Sequence, residues 1–97
     1  MLVVDGAEYL VAARGVTQWV RNLRAAGAGE LRHGRTVEAF TATEVTDPAA
    51  KVPVLRAYLR KWAWEVGAFF PGLSSGSTDD ELAAAAVRYP VFVVTRS

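Results

Sequence analysis

The chain of 97 residues has no cysteine, one histidine, one methionine and four prolines. Without cysteine there is no disulfide, thiolate nucleophile, Cys-ligated zinc or iron–sulfur cluster. A single histidine, His33, excludes a multi-histidine metal site, and no metal ligation is expected. A Ser-His-Asp triad would have to be built on His33. That residue precedes Gly34 as a hairpin-turn residue would, and none of Ser74, Ser75, Ser77 and Ser97 lies in a Gly-x-Ser-x-Gly elbow, so hydrolase chemistry is not expected. Long apolar runs are lacking too, and nothing approaches the roughly 20 residues of a membrane span. The opening MLVVDGAEYL carries Asp5 and Glu8 and no basic leader region, so a cytoplasmic protein is expected. Net charge is only +1, which gives no global field to attract nucleic acid.

What is present is a folding composition, 52% hydrophobic with ten aromatic side chains (three Trp, three Tyr, four Phe). The length suits one domain, 1–97, since half of it could not enclose a core. Charge is uneven along the chain. Arg14, Arg21, Arg24, Arg32 and Arg35 fall in a stretch whose one acid is Glu30, which reads either as a solvated face or as a local anion patch.

Leu2-Val3-Val4 and Tyr9 to Ala13, separated by Asp5-Gly6, read as a hairpin, because Asp-Gly accepts the positive φ of a tight turn. Thr17 caps a helix to about Ala26, with Trp19, Val20 and Leu23 at helical spacing and Gly27 available to end it. Glu30 to Arg32 and Thr36 to Val45 form a second hairpin turning at His33-Gly34. There Val37, Ala39, Thr41, Thr43 and Val45 share one face and Phe40 sits on the other, nominally outer one, so that face should be covered too, by a helix or a partner subunit. Pro53 is expected to open the main helix, whose stripe is Leu55, Leu59, Trp62 and Val66. Thr78 caps a last helix with Asp79, Asp80 and Glu81 in its first turn. Val91 to Val94, apolar throughout, is a central strand or one covered on both faces. The order β-β-α-β-β-α-α-β implies a mainly antiparallel α+β fold.

Asp79-Asp80-Glu81 diverge around the helix and make no acid/base pair. Gly27-x-Gly29 lacks the continuation of a phosphate loop or a dinucleotide fingerprint. The stretch from Val11 to Arg24 is richer: a strand passes through Arg14-Gly15 into a helix N-terminus, whose free N–H groups beside a guanidinium suit a phosphate or carboxylate. Trp19 and Asn22 stand one turn apart, as a ring platform with an amide beside it or as core and surface residues.

Leu10-Val11-Ala12-Ala13-Arg14-Gly15, continued by Trp19-Val20-Arg21-Asn22-Leu23-Arg24-Ala25-Ala26-Gly27, resembles the nitroreductase family of deazaflavin-dependent oxidoreductases. Phe40 to Val45, Pro53 to Leu59 and the closing Tyr89-Pro90-Val91-Phe92 are similar to that family as well. The resemblance implies a split β-barrel of the FMN-binding type with flanking helices. It further implies a reduced deazaflavin coenzyme of the factor-420 type whose hydride passes to a small organic acceptor. By the same resemblance, Ala12, Ala13, Arg14, Gly15, Trp19 and Asn22 contact the coenzyme, and Tyr58 and Trp62 line the substrate side. Catalytic residues are not identified. The family's N-terminal helix, two strands and basic Gly-Arg/Lys-x-Ser/Thr-Gly motif have no counterpart in this sequence, so an incomplete barrel is expected. Such a barrel exposes pairing edges, which predicts a homodimer or higher homo-oligomer. FMN as the ligand, or a non-catalytic binding module that keeps the fold, are the alternatives. The aromatic group Tyr58, Trp62, Trp64, Phe69 and Phe70 reads as a substrate pocket or a dimer interface.

Overall fold

The computed structural model describes residues 2–66 and 70–96, with the side chains of 33 and 63–66 left aside. Five strands form one open, wholly antiparallel sheet: β1 (Leu2–Val4), β2 (Ala7–Val11), β3 (Ala28–His33), β4 (Thr36–Glu44) and β5 (Val91–Arg96). Their spatial order is β1-β2-β5-β4-β3, so β1 and β3 are the edges and β5 is central. Three helices complete an α+β fold: α1 (Gln18–Ala26), α2 (Pro48–Val66) and α3 (Asp79–Ala86). The element order is the one expected from the sequence. No helix among the described residues is long and apolar enough to cross a membrane.

Local chemistry explains the joints. Asp5 and Gly6 both have positive φ, +50° and +82°, as a two-residue hairpin turn matched to strand twist requires. Gly27 ends α1 in the left-handed conformation, and its N–H donates to the Leu23 carbonyl at 2.7 Å. Thr78 caps α3 with a reciprocal pair: its hydroxyl accepts from the Glu81 N–H, and the Glu81 carboxylate accepts from the Thr78 N–H. Those bonds hold the Glu81 carboxyl below the usual carboxylate range.

Two expectations shift by a few residues. The second hairpin turns at Gly34-Arg35, one position later than expected, because β3 continues through His33 opposite Thr36. α2 begins at Pro48, not Pro53. The Asp47 side chain accepts from the Ala49 N–H at 3.0 Å, and its carbonyl accepts from the N–H groups of Ala50 and Lys51. Pro48 then occupies the first helical position, where no donor is needed. Pro53 is left inside the helix, denying a bond only to the carbonyl of the exposed Ala49. Helical geometry breaks at Trp62 (φ −121°, ψ 17°), so the expected stripe holds at Leu55 and Leu59 and is interrupted there. Trp64, Val66 and Phe69 of the sequence reading lie outside the described side chains.

The sheet is sandwiched unequally. On one face α2 and α3 enclose Val52, Val54, Leu55, Leu59, Leu82 and Val91. On the other, α1 seals Val20 and Leu23 against Phe40, Ala42, Phe92 and Val94. Phe40 is therefore covered by a helix of its own chain, and β5 is both central and covered on two sides, as expected. The face of Val37, Ala39, Thr41, Thr43 and Val45, expected from the sequence to be the packed one, is instead open, and of that set Val45 alone packs against the core. Ala39, Thr41 and Thr43, small or hydroxylated, fit that exposure, while Val37 is an apolar side chain left half in solvent.

Phe40 closes onto the backbone of β3. A Cβ added at Gly29 would come within 2.7 Å of Phe40 Cζ and 3.0 Å of Cε1, and the ring, buried under α1, has no room to yield. Gly29→Ala is expected to cost about 1–3 kcal/mol, measured by urea unfolding, and Phe40→Leu in the same chain should recover part of that loss. An unaltered Gly29→Ala midpoint would show that the ring moves freely.

Candidate functional site

The loop leaving β2 crosses the end of the sheet before entering α1. The Gly15 N–H donates to the Ala12 carbonyl at 3.1 Å, which folds residues 12–15 into a tight turn, and Gly15 takes φ +78°, where side chains are strained. The Ala12 N–H donates to the Pro90 carbonyl at 2.9 Å and so ties this turn to the start of β5. A cavity of about 570 Å³ opens beside it. Its walls are Val11 and residues 12–15, Thr17 and Trp19 from the start of α1, and Tyr58 from α2. Five of the six residues expected at a coenzyme thus meet one of the two expected at a substrate.

Each wall has its own support. The Trp19 indole is 39% exposed and rests on Phe92, ring centroids 6.2 Å apart and tilted by 53°. Tyr58 is half-buried against Phe70 at 5.8 Å, so it serves core and cavity together. Thr17 stands at the N-cap without making a capping bond. Its hydroxyl is buried and has no hydrogen-bond partner among the described residues. A buried hydroxyl in that state is uncommon, and it lies beside the first-turn N–H groups that attract anions.

Two expected residues fall outside. Asn22 is exposed one turn further along α1, its side-chain oxygen accepting from Gln18 Nε2 at 2.9 Å. Trp62 sits half-buried at the break in α2 with the Lys61 ammonium 5.2 Å from its ring centroid, away from the cavity. The arginine cluster also divides: Arg24 makes a two-pronged pair with Glu44, both contacts 2.8 Å, which holds the Glu44 carboxyl below its usual range. Arg21, Arg32 and Arg35 are exposed.

Three residues of these walls are not legible in the sequence as site residues: Thr17, which reads only as a cap, and Arg88 and Tyr89. Arg88 and Tyr89 form, with Ala13, Arg14, Gly15 and Pro71, a shallower depression of about 540 Å³ on the other side of Gly15. No spacing signal links Arg88 to Arg14, because the link is made by the β2–β5 pairing. A further cavity of about 500 Å³ lies between α2 and α3 and contains Arg56. That guanidinium is committed to structure, donating to the carbonyls of Ser75 and Ser77 at 2.7 Å each and pairing with Asp79 at 2.6 Å.

Comparison with protein-family models, with curated proteins and with solved structures finds no match to this chain.

Proposed function

We propose that this chain is a deazaflavin-dependent oxidoreductase of the nitroreductase type, holding its coenzyme in the cavity between the 12–15 turn, Trp19 and Tyr58. The observation that carries the reading is the convergence of Arg14, Gly15 and Trp19, from the β2–α1 connection, with the distant Tyr58 of α2 on one cavity of about 570 Å³. That volume lies within the usual range for small-molecule sites, and the wall chemistry fits a flat ring bearing an anionic chain. Trp19 offers the ring a face, Tyr58 adds a second aromatic wall, and Arg14 with the Thr17 hydroxyl offers polar groups to the ring's edge. When bound, the reduced deazaflavin supplies a hydride for a small organic acceptor, while the protein supplies orientation and exclusion of water. Asn22 is not included in the site, because its amide is engaged by Gln18 on the solvent side of α1.

Titration with the deazaflavin coenzyme, followed by ligand fluorescence, tests the reading, with FMN run beside it. Saturable deazaflavin binding that weakens about tenfold or more in Trp19→Ala is the expected result, as loss of a stacking face costs about 1–3 kcal/mol. Preferential binding of FMN would make the chain a flavin protein. No binding of either would leave the non-catalytic module.

The same reading includes a homodimer that extends the open sheet toward a split barrel. β3 is an unpaired edge of six residues, with exposed Glu30 and Arg32 flanking Leu31. In an antiparallel pairing of two β3 strands about Leu31, Glu30 of each chain faces Arg32 of the other, so the edge is complementary to itself. Light scattering should show a dimer that Glu30→Arg disrupts and that Arg32→Glu added to it restores. A concentration-independent monomer in the unaltered chain would refute the pairing.

A further inference from the structure

The cavity holding Trp19 and Tyr58 and the depression holding Arg88 share Ala13, Arg14 and Gly15. They are two halves of one groove that bends over the turn. Gly15 forms the seam: a Cβ there would lie 3.6 Å from the Arg88 carbonyl oxygen, and φ +78° disfavours any side chain. Gly15 therefore puts no side chain at the junction of the two halves.

The two ends differ in chemistry. The first offers aromatic surface. The second offers the Arg88 guanidinium, exposed beside the Tyr89 ring (5.8 Å to its centroid), with no carboxylate against it among the described residues. The backbone that carries it is fixed from below. The Arg88 N–H donates to the Ala85 carbonyl at 3.0 Å, and Tyr89 stacks on Phe70 at 4.2 Å with the rings 24° apart. The Lys51 ammonium, reaching up from α2, donates to the carbonyls of Ala86 and Tyr89 on either side of Arg88. A cation with its backbone anchored on both sides, at the end of a groove already lined by Arg14, is suited to a planar or tetrahedral anion.

We infer that Arg88 binds the phosphate or carboxylate end of an elongated ligand whose flat ring lies against Trp19. This rests on the function proposed above and extends it to a second half-site. Arg88 is a binding residue for the chain end of the ligand, not for the reacting ring.

The test compares two probes: the deazaflavin with its ribityl chain, and the same compound carrying a terminal phosphate. The unaltered protein should bind the phosphorylated probe about tenfold more tightly, the ordinary worth of a charged hydrogen bond. Arg88→Gln should erase most of that preference while leaving the affinity for the unphosphorylated probe within about twofold. Arg88→Lys should restore part of it. Because the Arg88 side chain is exposed and its structural bond is made by the backbone, Arg88→Gln should melt at the same temperature. If Arg88→Gln weakens both probes alike, or neither, Arg88 does not hold the anion, although the ring site stands. If the unaltered protein binds neither probe, the ring site and the Arg88 assignment both fall.

Discussion

Phe92→Ala is expected to lower the unfolding free energy by about 3–5 kcal/mol, close to the whole margin of a small domain with about 5–15 kcal/mol in hand. Phe92 is 1% exposed on the central strand, with Leu10 and Glu44 as its cross-strand neighbours. It meets the underside of α1 in the cluster of Val20, Leu23, Phe40 and Val94. Alanine there leaves a cavity that two rigid layers cannot close, since α1 is short and is held at its end by the Gly27 cap. In urea the midpoint should fall with the slope retained, and the melting temperature should drop by about 4–8 °C per kcal/mol lost. A loss below about 1 kcal/mol would mean that α1 does not seal against β5. Val87→Ala, at a residue 74% exposed, is the contrasting control and should change almost nothing. Phe92→Leu keeps most of the volume but removes the surface on which Trp19 rests, so it should weaken ligand binding more than it weakens the fold.

The contrast between those residues shows which parts of the molecule are legible in the order of amino acids. Val91 to Val94 reads as central or doubly covered because four consecutive apolar residues leave no polar face to turn outward, and it is both. The Asp5-Gly6 turn, the Gly27 end of α1 and the Thr78 cap are also legible, since each depends on the local preference of one or two residues, whereas Thr17 stands at the start of α1 without the capping bond its residue type suggests. The α2 start is misread because Pro48 and Pro53 carry the same local signal. The choice is made by Asp47, whose carboxylate caps at Pro48 and has no equivalent before Pro53. Phe40 is legible as covered but not by what, since pairing with α1 follows from the approach of Gly29 on the next strand.

The site divides in the same way. Arg14, Gly15 and Trp19 are close in sequence, so a turn and one helical step suffice to bring them together. Tyr58 joins them only through the packing of α2 beneath the sheet, and Arg88 only because β5 lies beside β2. Asn22 shares the helix but not the orientation. The cavity takes the first turn of α1 and leaves the second to solvent. Local motifs therefore give one wall of the groove, and long-range pairing gives the others.

Lys51 is where fold and site meet, and its replacement carries the second large effect. It is a lysine 6% exposed, with its ammonium donating to the carbonyls of Ala86 at 3.1 Å and Tyr89 at 3.4 Å. Those oxygens lie at the negative end of α3, where a cation is favoured. Burial nonetheless pushes the ammonium pKa below the usual lysine value, with the nearby Glu44 opposing that shift. Lys51→Ala removes a buried stem and strands two acceptors, and should cost about 2–4 kcal/mol. Lys51→Met keeps the stem and relieves the desolvated charge, so it should cost less, about 1–2 kcal/mol. The sign of the pH dependence follows from the depressed pKa. Below it, the folded protein bears the full desolvation penalty; between it and the unfolded value of about 10.4, the unfolded chain holds more protons and stability rises with pH. The unaltered protein should therefore gain on Lys51→Met as pH is raised from 7 toward 10.5, measured by urea unfolding at matched ionic strength. A difference that shrinks over that range would place the ammonium in a setting that favours its charge. Because the same two carbonyls flank Arg88, Lys51→Met should also blur the preference for a phosphorylated ligand while sparing the Trp19 end of the groove, making the buried lysine the point through which core packing sets the anion end.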